Sequence, residues 1–336
     1  MKRIGVSIIG VGSISESSHI PSLMKIPCAK LTSICDIRPE RLKLLGTKYN
    51  IKKMFLNYKD AIDDSDTNAV IIATNAYSHA EIALYAIKKK KPVFLEKPIT
   101  LLIPHAEMIV EESKKNKVPI MIGYQLRFLP NHTLTKSYMK KYIGQVYSIY
   151  IRAETLVIKP AESLLIDYGT HFFDLIRYYL NDQKIVSISG QVIYDKNKIQ
   201  IAATALLEFE SGIHATIELF WLPDFNWGVV DRSLTIVGSK GKISTKMSGP
   251  DITLWRSESF RDKMLGPKNI LPKETVNPYL PLSDLCYLKE LETFFYCLRN
   301  KTKMPSNAED GLKALQIADY ILKSFTKGKK FSGLKI

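Results

Sequence analysis

Asp167-Tyr168-Gly169-Thr170-His171 sets a carboxylate and an imidazole four residues apart at the start of a helical stretch, so one helical face or its N-terminal cap presents both. Glu96-Lys97-Pro98 follows the apolar run Val93–Leu95. A lysine at the carboxyl end of a parallel strand points into the crevice where such sheets bind ligands. Near the start of the chain, Gly10-Val11-Gly12-Ser13-Ile14-Ser15 directly follows a buried apolar run and leads into a helix. Gly10 permits a tight turn and Gly12 lets backbone approach a pyrophosphate. The helix N-terminus at Ser13 and Ile14 supplies amide donors and a positive dipole end. Asp36 ends the second strand 24 residues after Gly12, where an acid hydrogen-bonds the adenosine ribose hydroxyls. A carboxylate there disfavours a 2′-phosphate, so the spacing predicts NAD over NADP. Arg38, two residues on, could stack on adenine or meet a 2′-phosphate, which keeps NADP open.

These residues need elements to position them. Up to residue 122, short apolar runs alternate with helical patterns. Strands are expected at Ile4–Ile9, Lys30–Cys35, Ala69–Ala73, Val93–Leu95 and Val118–Ile122. Helices follow through Tyr49, over Tyr77–Lys89 and over Leu101–Lys115. Continuous apolar strands alternating with helices predict an α/β, doubly wound parallel sheet covered on both faces. After Gly123 the pattern changes. In Ile213–Trp221, residues Ile213, Ala215, Ile217, Leu219 and Trp221 share one face while His214, Thr216 and Glu218 point the other way. Val146–Thr155, Ile185–Ile193 and Ile201–Phe209 are strand-like too, Ser211-Gly212 signals a hairpin, and short strands follow at Leu234–Val237, Lys242–Thr245 and Ile252–Trp255. Helices are expected at Asn131–Lys141 and Thr170–Leu180, and two more close the chain, one striped by Leu288, Leu291, Phe295 and Leu298. The expected organisation is a dinucleotide-binding region over 1–122 and an α+β region over 123–336 with an open, largely antiparallel sheet.

Composition narrows the function. The 336 residues are 46% hydrophobic and 24% charged, which excludes global disorder. No apolar run approaches the ~20 residues needed to span a bilayer. Met1-Lys2-Arg3 before an apolar stretch imitates a signal peptide, but no small-residue cleavage site follows. Cys28, Cys35, Cys286 and Cys297 form no C-x-x-C pair, which reads as reduced, cytoplasmic usage without structural zinc. The net charge of +15 gathers in lysine-rich stretches at 88–91, 114–117 and 327–330. None is interleaved with aromatics, so these read as solvated helix ends and no nucleic-acid partner is expected. The charge also suits an anionic substrate.

In chain order the motifs are the glycine turn at Gly10, Asp36, Ala73-Thr74-Asn75 with His79, Glu96-Lys97-Pro98, Gly123-Tyr124-Gln125-Leu126-Arg127-Phe128, and Asp167-x-Gly-x-His171-x-x-Asp174. This series resembles the Gfo/Idh/MocA family, which includes glucose-fructose oxidoreductase and inositol dehydrogenases, over essentially the whole chain. The resemblance implies a Rossmann domain, a second domain whose open sheet often makes oligomer contacts (a homodimer or homotetramer), and pyridine-nucleotide redox chemistry on sugars, cyclitols and nucleotide sugars. It implies that His171 is the general acid/base, a role suited to a group titrating near ~6.5. Lys97 would donate a hydrogen bond to the reacting oxygen. Asp167 would pair with Lys97 and contact the substrate hydroxyl. Thr74, Asn75 and His79 would lie near the nicotinamide half of the cofactor, and Glu96 near its ribose. Tyr124 and Arg127 would contact cofactor or substrate, or pack between domains. Asp174 would orient His171, or only cap or ion-pair on its helix. Three departures stand out. Asn75 replaces a proline, Ser15 replaces the third glycine, and Ala161-Glu162-Ser163 stands where a glycine-rich run is frequent.

Other readings bear on the same residues. Asp167, His171 and Asp174 have ligand-compatible types, but no further His or acid stands at ligand spacing nearby, so no metal is expected. His19 reads as a helix-start residue. Trp227 could wall a sugar site or anchor a loop. Against an oxidoreductase stand two rivals: an NAD-assisted glycoside hydrolase on the same fold, and a non-catalytic dinucleotide-sensing regulator. Intact Lys97, Asp167 and His171 weigh against the second.

Overall fold

The apolar runs of the first third become strands because they are buried on both faces and rich in β-branched residues. The computed structural model describes residues 3–155, 163–222, 231–246, 252–256, 268–270, 282–334 and 336. In it β1 (Ile4–Ile9), β2 (Ala29–Cys35), β3 (Lys53–Phe55), β4 (Ala69–Ile72), β5 (Val93–Glu96) and β6 (Ile120–Gly123) form a sheet of order β3-β2-β1-β4-β5-β6. Every pairing in it is parallel. Edge strand β3 has no expectation behind it, since three residues with one lysine carry no apolar run.

Helices connect the strands. α1 (Ile20–Met24) is entered through a π turn at Ser15–His19. α2 (Pro39–Tyr49) begins on a proline at its first position and ends at Asn50 with φ of 52°. α3 (Tyr58–Asp63), α4 (Ala76–Lys88) and α5 (Ile103–Asn116) follow. Strand order reverses between β1 and β4, so the crevice at their carboxyl ends is the topological switch point.

The second sheet has nine strands among the described residues. β7 (Val146–Thr155), β8 (Ile185–Tyr194), β9 (Gln200–Phe209), β10 (His214–Trp221), β11 (Arg232–Gly238), β12 (Gly241–Lys246), β13 (Ile252–Arg256), β14 (Lys268–Ile270) and β15 (Phe331–Ser332) lie in the order β14-β13-β12-β11-β7-β10-β9-β8-β15. All pairs are antiparallel except β7 with β10. Alternation in β10 turns Ala215, Ile217, Leu219 and Trp221 inward. α6 (Pro130–Tyr138) runs on through a π turn at Met139–Ile143, and α7 (Thr170–Tyr179) buries Phe172, Phe173, Leu175, Ile176 and Tyr179.

The last two helices are α8 (Leu282–Asn300) and α9 (Ala308–Lys327). By contacts the chain divides into a first unit, Met1–Gln125 with Ser283–Leu315, and a second, Leu126–Leu282 with Gln316–Ile336. The segment Ser283–Leu315, read from the sequence as part of the second region, therefore belongs to the first. Phe294 of α8 meets Phe94 of β5 edge-on at 5.9 Å, and Ile122 N–H of β6 donates to Ser306 O at 2.7 Å. Order along the chain cannot show a segment that returns to an earlier sheet. Among the described residues no helix is long and apolar enough to cross a membrane.

Candidate active site

The carboxyl ends of β1, β2 and β4 border a cleft of about 760 Å3, lined by Gly10, Gly12, Asp36, Arg38, Thr74 and Asn75 among others. Ile37, Leu56 and Ile82 give it apolar wall. Gly10 has φ of +89°, and a Cβ there would sit 2.5 Å from Ala73 O, so conformation and space both require glycine. Gly12 differs: a Cβ there would meet nothing within 4 Å. That open space is what a pyrophosphate needs beside a helix N-terminus. Ser13 is exposed and Ile14 half-buried just beyond it. Ser15 Oγ donates back to Gly10 O at 2.6 Å, so the residue in the third glycine's place ties the helix to the turn.

Asp36 closes the other end of this arrangement. Its Oδ2 accepts from Val11 N–H at 2.9 Å and from Arg38 Nη2 at 3.1 Å. Its Oδ1 accepts from Arg38 N–H at 3.0 Å and Nε at 2.9 Å. Burial pushes the Asp36 pKa up, but the Arg38 guanidinium and the two amides outweigh it and hold the carboxyl below its ordinary value. Arg41 supports the turn from outside by donating to Val11 O at 2.9 and 3.0 Å. The glycine cradle, the acid and the cleft fit a dinucleotide.

Lys97 is half-buried just past β5. Its backbone N–H donates to Glu96 Oε2 at 3.1 Å, and Glu96 Oε1 lies 2.8 Å from His19 Nε2. Burial pushes the Glu96 carboxyl up, but His19 and the Lys97 charge hold it below its usual value. A Cβ on Gly123 would lie 3.1 Å from Glu96 Oε2, which explains glycine at the end of β6. Glu96, expected near the cofactor ribose, is thus buried against protein. His79, expected near the nicotinamide, is 1% exposed. Its Nδ1 lies 2.8 Å from Pro98 O and its Nε2 3.2 Å from Thr74 O. Burial outweighs these carbonyls and holds its pKa below the ordinary value. Thr74 and Asn75 do line the cleft, and Asn75 sits at the cap of α4 without a side-chain cap bond.

In the second unit Ser163 Oγ accepts from Ile166 N–H at 3.4 Å and caps a π turn over Leu164–Gly169 that carries half-buried Asp167. His171 lies in the first turn of α7 and is 8% exposed. Gly169 is required between them, since a Cβ would fall 2.9 Å from the Phe173 ring. Buried Asp174 accepts from Arg127 Nε at 2.7 Å and Nη2 at 2.5 Å. Asp174 thus ion-pairs, as one of the readings of it expected. Arg127 is buried in that fork and Tyr124 is 1% exposed, so both substrate-contact candidates stand inside the protein. Trp227, Ala161 and Glu162 lie outside the described residues. Among the described residues no group of three His, Cys, Asp or Glu could hold a metal. Sequence reasoning gave no part to His19 or Arg41 beyond the helix they stand on. The signal for His19 was weak: a histidine seven residues after Gly12 reads as a helix residue until its partner is known.

Residues 4–124 match the model of an oxidoreductase family with an NAD-binding Rossmann fold, and residues 143–244 match the GFO/IDH/MocA C-terminal domain. The chain belongs to the Gfo/Idh/MocA oxidoreductase family. Within the family it is 26% identical over 332 residues to a myo-inositol 2-dehydrogenase of Thermotoga maritima, covering 93% of both chains. It is 27% identical over 248 residues to an inositol 2-dehydrogenase of Salmonella paratyphi B, covering 70% of this chain and 71% of the other. Its fold is that of a levoglucosan dehydrogenase solved with NADH and levoglucosan, with a TM-score of 0.87, 18% identity, and coverage of 99% and 100%. The Gfo/Idh/MocA assignment makes the chain an NAD-binding oxidoreductase.

Proposed function

We propose that this protein is an NAD-dependent dehydrogenase of a cyclitol or a closely related sugar, oxidising a secondary alcohol to a ketone or running the reverse. The observation that carries the reading is Lys97, Asp167 and His171, all present in a chain similar over nearly its full length to a myo-inositol 2-dehydrogenase. Bound nicotinamide supplies the hydride acceptor in oxidation and the donor in reduction. Gly10 and Gly12 shape the pyrophosphate cradle, with Ser13 and Ile14 at the helix N-terminus. Asp36 takes the adenosine ribose hydroxyls and repels a 2′-phosphate, which supports NAD over NADP. Thr74 and Asn75 serve the nicotinamide half. His171 takes the proton of the reacting hydroxyl through a ring nitrogen and returns it in the reverse direction. Lys97 donates a hydrogen bond to that oxygen while negative charge develops on it. Asp167 accepts from a substrate hydroxyl and fixes its orientation.

Titration with NADH and NADPH, followed by a panel of cyclitols, aldoses and nucleotide sugars read by nicotinamide absorbance, tests this. Turnover of a cyclitol with NAD supports it. NADH binding without turnover of any polyol overturns the substrate class. Tyr150, Ile193 and Leu206 are exposed on strands of the nine-stranded sheet, which supports a homodimer or homotetramer through that sheet. Light scattering after gel filtration reads that state.

A further inference from the structure

We propose that His19 and His79 are positioning residues that bracket Lys97, one imidazole holding the residue before it and the other the residue after it. His19 Nε2 lies 2.8 Å from Glu96 Oε1, and the other oxygen of that carboxylate accepts from the Lys97 backbone N–H at 3.1 Å. His79 Nδ1 lies 2.8 Å from the carbonyl of Pro98. Lys97 therefore stands between two residues that are each held by a buried ring.

Both rings are fixed in turn. His19 is fully buried and meets the edges of Phe94 at 5.6 Å and Tyr287 at 5.9 Å. His79 is closed in by Thr74 O at 3.2 Å on its other side. Neither ring is among the residues that line the cleft. Each does sit on a helix that leaves a cleft-lining segment. His19 follows the Gly10–Gly12 turn, and His79 follows Thr74 and Asn75. The bracket thus links the strand end that carries Lys97 to two loops of the cleft. A core that only needed filling would take leucine at either position at less desolvation cost. Two imidazoles aimed at the flanks of one lysine fit a different need. A donor that must meet a reacting oxygen loses about a hundredfold in rate when misplaced by about 1 Å.

The proposal rests on Lys97 as the donor to the reacting oxygen, and Lys97→Ala in the same assay tests that reading separately. An active Lys97→Ala variant sinks the lysine's role. An inactive one, beside histidine variants at wild-type rate, sinks only the bracket. The variants are His19→Leu and His79→Leu, with His19→Gln and His79→Gln as conservative partners that keep an N–H donor. Each is read by kcat on the best cyclitol, by NADH affinity, by melting temperature, and by the rate at which trace acetic anhydride acetylates Lys97, followed by mass spectrometry without cofactor or substrate. The expected result is a kcat loss of about tenfold or more in the leucine variants. NADH affinity stays within about threefold of wild type, Lys97 acetylation changes by at least about threefold, and glutamine restores part of both losses. Unchanged kcat and acetylation overturn the proposal. So do parallel losses of kcat, affinity and melting temperature that glutamine does not restore. If leucine gives no folded protein, His19→Asn and His79→Asn, polar but too short to reach, replace it with the same expectations.

Discussion

Both carboxylate oxygens of Asp36 are engaged within the protein. Each carboxylate oxygen accepts two protein hydrogen bonds, and Arg38 supplies three of the four donors. Ribose hydroxyls can take those lone pairs only if the guanidinium leaves. The Arg38 side chain is half exposed, so the pair is worth at most about 1 kcal/mol, or about fivefold in affinity. Arg38→Ala is therefore expected to tighten NADH by up to about fivefold and to weaken NADPH, both read by fluorescence titration. Tighter NADPH binding by the variant would contradict this. The buried histidines set a pH dependence. Burial pushes His132 down to about 3 and lowers His79 as well. As pH falls through about 6.5 the unfolded chain takes up protons that these folded rings refuse. Stability then drops, by up to about 1.4 kcal/mol per pH unit per ring. Asp36 and Glu96, held below their usual values, contribute stability above the ordinary carboxylate range and lose it only as pH falls further. The urea midpoint should change little around pH 7 and fall between about 6.5 and 5. A level midpoint down to pH 5 would remove the neutral, buried state of both rings. At this scale the sequence showed residue types well and partners poorly. The placement of Gly10, Gly12 and Asp36 on one cleft was legible because local spacing fixes it. The protein partners of Glu96, His79 and Arg127 were not, because His19, Pro98 and Asp174 reach them through the fold.

At the scale of elements, two glycines separate stability from binding. A Cβ at Gly12 meets nothing within the protein, whereas one at Gly169 meets the Phe173 ring at 2.9 Å. Gly12→Ala should keep its melting temperature and lose about tenfold or more in NADH affinity, because the methyl enters the pyrophosphate space. Gly169→Ala should lose about 1–3 kcal/mol of stability by overpacking α7. Equal melting losses in both would contradict the assignment of Gly12 to the cradle. α7 also depends on the buried Arg127–Asp174 fork. Arg127→Ala takes the guanidinium from a buried carboxylate and should cost about 3–5 kcal/mol in urea unfolding. Replacing both partners, Arg127→Met with Asp174→Leu, should recover most of that. Each lysine-rich stretch holds an ion pair. Lys89 pairs with Asp63, Lys115 with Glu112 and Lys330 with Glu208. The π turns before α1 and α7 were not legible, since an i→i+5 turn has no residue signature distinct from an α turn.

Across the whole molecule, the class of fold followed from the change of apolar period near Gly123, from continuous runs to alternation. The partition of the chain did not. Ser283–Leu315 returns to the first unit through Phe294 on Phe94 and Ser306 on Ile122, contacts that join residues far apart along the chain. Lys97 and the cleft belong to the first, and Asp167 and His171 belong to the second. The most direct test is single-turnover oxidation of myo-inositol and its isomers by the wild-type protein, Lys97→Ala and His171→Ala, each first shown to bind NADH. NADH should form with one isomer in the wild type, and each variant should be slower by about 10²–10⁴-fold while binding NADH normally. Wild-type rates in both variants, or no NADH from any cyclitol in a protein that binds it, would contradict the account.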